Sequence, residues 1–171
     1  MSYIPKYILR RMVPKNSFFT VDKTGDGKSD AIGLYIVNVI SPFSIPPEIP
    51  PTPEELAKLA GVEDLNSIIS LTIDGVDVGF DFKNLELRYE DKGITLETLG
   101  EAAGVTLPVG GKLTIIYDFP ESQYPDGMTA LGEHEVVIKY NVGGQEGELS
   151  AKREIPEERV AISYPPDINS F

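Results

Sequence analysis

Short runs of β-branched and aromatic residues at alternate positions, cut by Asp-Gly and Gly-Gly pairs, commit most of this chain to antiparallel strands. Ile68-Ile69-Ser70-Leu71-Thr72-Ile73 alternates, turns at Asp74-Gly75 and returns as Val76 to Phe80, the pattern of a β-hairpin. Glu133 to Asn141 sets Val136, Ile138 and Tyr140 inward against Glu135, Val137 and Lys139, and Gly143-Gly144 turns it into Glu146 to Glu154. Asn84 to Tyr89 places Leu85, Leu87 and Tyr89 on one side and Glu86 and Arg88 on the other, as a half-exposed strand does. After Pro108-Val109-Gly110-Gly111 comes a strand with Leu113, Ile115, Tyr117 and Phe119 on one face and Thr114, Ile116 and Asp118 on the other. Ala31 to Ile40 is apolar at both parities, so it is expected to be the central strand, covered on both faces. Arg159 to Tyr164 supplies a last strand. A length of 171 residues fits one domain. The predicted fold is mainly β, an antiparallel two-sheet β-sandwich with one or two short helices.

Between the strands the composition changes. Thr52 to Gly61 carries a Thr N-cap, Pro53 at the first helical position, Glu54 and Glu55 in the first turn and Gly61 after the end. Leu56, Leu59 and Ala60 are its expected inward face. Ile94 to Gly104 resembles a second short helix, capped by Thr95 and stopped by Gly104. Ser41 to Pro53 holds six prolines, too many for a ladder or a helix interior, and is expected to run extended over the surface. Residues 3 to 13 alternate apolar and basic groups, Lys6, Arg10 and Arg11 among them, as an edge strand or a docked arm does. Glu121 to Leu131, with Pro125-Asp126-Gly127, is a long loop of the kind that carries binding function.

A net charge of −12 repels nucleic-acid backbones and anionic membranes and favours cations or a basic protein face. No nucleic acid and no membrane is therefore expected as a partner. The absence of cysteine excludes disulfides and thiolate metal sites. No apolar run resembles a signal peptide or a membrane span, and the expected location is cytoplasmic. Fourteen prolines and no cysteine also suit a thermophile.

One stretch carries ligand chemistry. Asp22-Lys23-Thr24-Gly25-Asp26-Gly27-Lys28-Ser29-Asp30 places Asp22, Thr24, Asp26 and Asp30 at positions 1, 3, 5 and 9 of an EF-hand-type calcium loop. The Lys28 carbonyl falls at position 7 and Gly27 at the sharp turn. Position 12, which carries a bidentate Glu in such loops, is Gly33. The same residues also spell a polar hairpin turn between two apolar runs. As a metal site it points to calcium, crosslinking a hairpin rather than acting on a substrate. No catalytic constellation accompanies it. His134 is the single histidine, expected as an ordinary strand residue, and no P-loop, G-x-S-x-G or G-x-G-x-x-G element stands at a strand-to-helix junction. Glu54, Glu55, Glu121, Glu133 and Glu135 are expected as solvated surface rather than paired acid catalysts.

Four segments, Ile4-Pro5-Lys6-Tyr7, Leu71 to Val76, Ile94 to Leu99 and Leu131 to Val136, together resemble the β subunit of C-glycoside deglycosidases. The resemblance implies a small β-sandwich subunit that pairs with a larger, barrel-shaped catalytic subunit holding most of the metal and catalytic residues. It brings no catalytic residue to this chain. The expected protein is a non-catalytic accessory subunit acting by protein association, with a calcium-stabilised loop. The alternative is a self-assembling structural protein of a capsid, tubule or filament, a homo-oligomer held by its edges and termini.

Overall fold

The computed structural model describes residues 2–3, 5–48, 52–119, 131–142 and 144–171. Its strands are β1 (Ser2–Tyr3), β2 (Phe18–Asp22), β3 (Ala31–Val37), β4 (Phe43–Ser44), β5 (Ile69–Ile73), β6 (Val76–Asp77) and β7 (Leu85–Tyr89). They continue as β8 (Lys92–Thr95), β9 (Thr106–Leu107), β10 (Lys112–Asp118), β11 (Gly132–Val142), β12 (Gln145–Ile155) and β13 (Ile162–Ser163). Two α-helices, α1 (Lys6–Met12) and α2 (Pro53–Ala60), and several 3-10 turns complete it. One sheet has the order β1-β12-β11-β5-β6 and the other β13-β2-β3-β10-β7-β8, with β4-β9 as a separate ribbon. Pairing is antiparallel except where the short terminal strands β1 and β13 join β12 and β2.

The two sheets share one core. Phe18, Ile32, Leu34 and Tyr117 from the six-stranded sheet meet Leu71, Ile73, Val136 and Ile155 from the five-stranded one. β3 is interior, with β2 and β10 as neighbours. Its first five residues are buried, as expected for a run apolar at both parities. The second face of that sheet, with Phe19, Val21, Ala31 and Ile116, is covered by Ile162, Ile168 and Phe171 of the C-terminal segment. The Phe171 ring stands edge-on to Phe19 at 5.3 Å and lies 3.9 Å from the Arg159 guanidinium.

α2 forms as its caps dictate. The Thr52 hydroxyl accepts from the Glu55 N–H, and Gly61 closes the end in the left-handed region, φ 74°. Its inward face is different from the one expected. Ala57 is buried and Leu56 half-buried, whereas Leu59 is 74% exposed, because the helix docks on the 3-10 turn Leu65–Ile68 instead of lying flat on a sheet. Residues 94–104 form strand β8 and then a 3-10 helix, Leu96–Ala102, broken at Thr98, whose hydroxyl accepts from the Thr95 N–H.

Several strand expectations are corrected. Residues 6–12 are helical, not an edge strand: Met12 packs on the core, Val13 is buried, and Arg10 and Arg11 fall in the last turn, where cations complement the helix dipole. The return strand from Val76 stops at Asp77, and Arg159–Tyr164 contributes only Ile162 and Ser163. The proline-rich segment does form a ladder, at its proline-free residues Phe43 and Ser44. Glu86 is buried rather than solvated, because Tyr164 covers it and donates to its Oε2 at 2.5 Å. Tyr140 is 41% exposed although its parity points inward. It sits near the tip of a hairpin of two 11-residue strands, and its ring lies over Gly147, where a Cβ would collide with it. The 121–131 loop, apart from exposed Leu131, and Gly143 lie outside the described residues. Among the described residues, no helix is long and apolar enough to cross a membrane.

Candidate metal centre

The loop from Asp22 to Asp30 joins β2 to β3, which pair antiparallel from Phe18–Leu34 to Val21–Ala31. Asp30 N–H donates to the Val21 carbonyl at 2.7 Å and closes the hairpin below the loop. Above that point the backbone coils around its own carboxylates. Asp22 Oδ1 accepts from Thr24 N at 3.0 Å and Gly25 N at 2.8 Å, and its Oδ2 accepts from Gly27 N at 2.8 Å. Gly25 and Gly27 both have φ +80°, a conformation that L side chains resist, and this turns their amides toward Asp22. The Gly27 N–H above all, helped by the Gly25, Thr24 and Asp26 N–H groups, holds the Asp22 carboxyl below the usual carboxylate range, and the loss of some solvation opposes this without cancelling it.

Asp26 and Asp30 complete the group. Asp26 Oδ1 accepts from Lys28 N at 2.9 Å. Asp30 Oδ2 accepts from Lys23 N at 2.6 Å and Thr24 N at 3.3 Å, while its Oδ1 is buried with no hydrogen-bond partner. One oxygen from each of Asp22, Asp26 and Asp30 lies within 4.8 Å of the others. Oxygens around a cation at ~2.4 Å stand about 3.4 Å apart when adjacent and about 4.8 Å when opposite. The Thr24 hydroxyl lies 3.4 Å from Asp22 Oδ1 and 3.5 Å from Asp30 Oδ2, the spacing of adjacent ligands. So the fold brings together Asp22, Thr24, Asp26 and Asp30, whereas Lys28 meets the group through its N–H, a donor to Asp26 and not a ligand, and its side chain is exposed.

Two further features suit a hard cation. The Lys23 ammonium turns away, to Asp118 at 2.8 Å and over the Tyr164 ring at 4.9 Å. Among the described residues, no lysine or arginine ion-pairs with Asp22, Asp26 or Asp30. An unpaired buried carboxylate oxygen beside two other carboxylates is costly in the absence of a counter-ion. The missing twelfth ligand has a structural reason: Gly33 pairs with Phe19 in the ladder, and a Cβ there would collide with the Phe19 ring.

The sequence missed one polar pair. His134 is buried and its Nδ1 lies 2.6 Å from Asp74 Oδ2. Asp74, at φ 52° in its turn, is held by the Glu135 N–H on Oδ1 at 2.8 Å and donates its own N–H to the Glu135 carbonyl. The Asp-Gly turn that marks the hairpin was the available signal, but sixty positions separate the partners, and the pair supplies no nucleophile by itself.

Neighbouring segments also carry exposed apolar residues. Ile40, Phe43 and Val109 are 64%, 62% and 56% exposed. Their segments are tied by Asn38, whose side-chain amide donates to the Ser41 and Leu107 carbonyls and whose N–H donates to Gly111 O. No protein-family model matches the chain, and no curated protein matches it.

Proposed function

We propose that this chain is a non-catalytic β-sandwich that works by associating with another protein, its β2–β3 corner fixed by calcium. The observation that carries it is the group of three carboxylates in which Asp30 Oδ1 is buried without a partner. Calcium suits the group better than magnesium, because a coiled loop of carboxylates, a hydroxyl and carbonyls tolerates the irregular six-to-eight-oxygen shell that calcium takes. The cation would hold a hairpin tip: the Asp22 and Asp30 carboxylates that would bind it already accept backbone N–H groups of the same loop, which suits an architectural role.

Association is favoured by the exposed Ile40, Phe43 and Val109, carried on segments that Asn38 ties together beyond the end of β3 away from the loop. A role as accessory subunit, as the resemblance to the C-glycoside deglycosidase β subunit implies, and self-assembly into a larger structure both use such a surface. Terbium luminescence and calorimetry with calcium against chelator test the cation. Light scattering of the purified chain, alone and after recovery of partners from its host, tests association. Saturable cation binding and recovery of a larger partner, or of higher oligomers, are the expected results. A strictly monomeric chain that recovers nothing and whose melting ignores calcium overturns the proposal.

A further inference from the structure

The space between the two sheets is incompletely filled, in a particular shape. Along the inner face of the β10–β7 ladder lie two cavities of about 310 and 320 Å³. The first is lined by Leu34, Leu71, Ile115, Tyr117 and Val136, so both sheets contribute walls. The second lies under the β4–β9 ribbon and α2, with Ile45, Leu56, Leu99 and Leu113 in its lining. Leu87 lines both, and it stands opposite Ile115 in the ladder, one inward-facing position from the Leu113–Tyr89 pair. The cavities therefore lie end to end. Four residue steps from Leu113 to Tyr117 extend about 14 Å at ~3.4 Å per residue.

The chemistry of the walls is uniform. Among the described lining residues only Tyr117 and Tyr89 carry polar side-chain atoms, and the Tyr117 hydroxyl is already engaged, accepting from the Asp81 N–H at 3.0 Å. Water needs two to four polar partners to be held in a cavity, and this lining offers few. Protein interiors otherwise leave few voids larger than a water molecule. A dry apolar cavity of about 150 Å³ accepts a six-carbon ring, so each lobe has room for roughly twice that. No lysine, arginine or histidine is among the described lining residues and the net charge is −12, which disfavours an anionic head group.

We propose that these two lobes form one binding site for a linear, uncharged hydrocarbon chain, such as that of a long-chain alcohol or acyl ester. The chain lies along the inner face of the β10–β7 ladder and passes Leu87. This site is separate from the Asp22–Asp30 loop, and neither requires the other. Nile red titrated into the full chain, then displaced by 1-hexanol, 1-octanol, 1-decanol and dodecanoate, tests it. Saturable dye binding is expected, with displacement strengthening roughly fourfold per added methylene and dodecanoate weaker than the alcohol series predicts. Ile115→Phe narrows the first lobe and is expected to weaken 1-decanol at least tenfold while raising the melting temperature of the ligand-free protein. Leu71→Phe, from the facing sheet, serves the same purpose if the first variant does not fold. Absence of saturable binding, displacement independent of chain length, or full affinity in a folded filled variant overturns the proposal.

Discussion

Replacing Asp30 with Asn separates a cation site from a self-sufficient polar turn, because the two predict different orders of stability. The ligand oxygens of Asp22, Asp26 and Asp30 lie within 4.8 Å, where two like charges in water repel by about 0.9 kcal/mol. Removing the Asp30 charge relieves two such pairs, about 2 kcal/mol. Against this, the bonds that Asp30 Oδ2 accepts from Lys23 N and Thr24 N pass from charge-assisted to neutral, a loss on the order of 1 kcal/mol. In chelator the variant is therefore expected to be more stable than the parent by about 1 kcal/mol, or ~2–4 °C in Tm for a domain of this size. At a hundredfold excess of calcium over Kd the parent gains about 2.7 kcal/mol by mass action. The variant, short of a ligand charge, gains far less, and the order reverses. Scanning calorimetry of both proteins in calcium and in chelator gives the four melting temperatures. If Asp30→Asn melts below the parent by one and the same margin in both buffers, the carboxylate serves only the turn and the cation reasoning is wrong.

Gly33→Ala puts a Cβ against the fully buried Phe19 ring. An overpacking loss of about 1–3 kcal/mol is expected, read as a lower urea midpoint at unchanged m. Because the folded Asp22 carboxyl titrates below its unfolded value, its contribution is present above about pH 4 and is lost as pH falls through the folded value. Asp22→Asn is expected to flatten the acid limb of the stability profile in chelator, and an unchanged limb would refute that. Burial and then the bond to Glu86 raise the Tyr164 hydroxyl, so its contribution is present below about pH 10 and is lost as pH rises through the folded value. Tyr164→Phe is expected to remove that alkaline loss. It also removes the hydroxyl that donates to Oε2 of Glu86, whose Oε1 is already buried without a partner, at a cost on the order of 1–3 kcal/mol in a urea titration at neutral pH.

The class of fold was legible because strand burial follows a two-residue period. The β5 turn at Asp74-Gly75, the β11–β12 pair and the doubly covered β3 all announce themselves locally, as do the caps of α2. The carboxylate group was legible for the same reason. Its ligands lie within nine residues, and two glycines set the coil that gathers them. Elsewhere local pattern misled. Residues 3 to 13 alternate as a strand does, yet Met12 and Val13 gain burial only when residues 6–12 coil. Leu59 sits on the expected helix face, but the docking partner of α2 proved to be a 3-10 turn.

By itself the sequence determined the mainly β class, the hairpins and the loop in which four candidate ligands converge, since each depends on neighbours along the chain. Only the tertiary structure decided that His134 meets Asp74, that Tyr164 and Phe171 roof the second face of the six-stranded sheet, and that Leu87 stands between two unfilled apolar lobes. It also decided the character of the Asp22–Asp30 loop. Asp30 Oδ1 is left without a partner because the hairpin closes at Val21 and Phe119 N–H donates to the Asp30 carbonyl from β10's end, burying a carboxylate that the loop alone would leave in water. Burial is a property of packed neighbours distant in sequence, and no local pattern in the Asp22–Asp30 loop announces it.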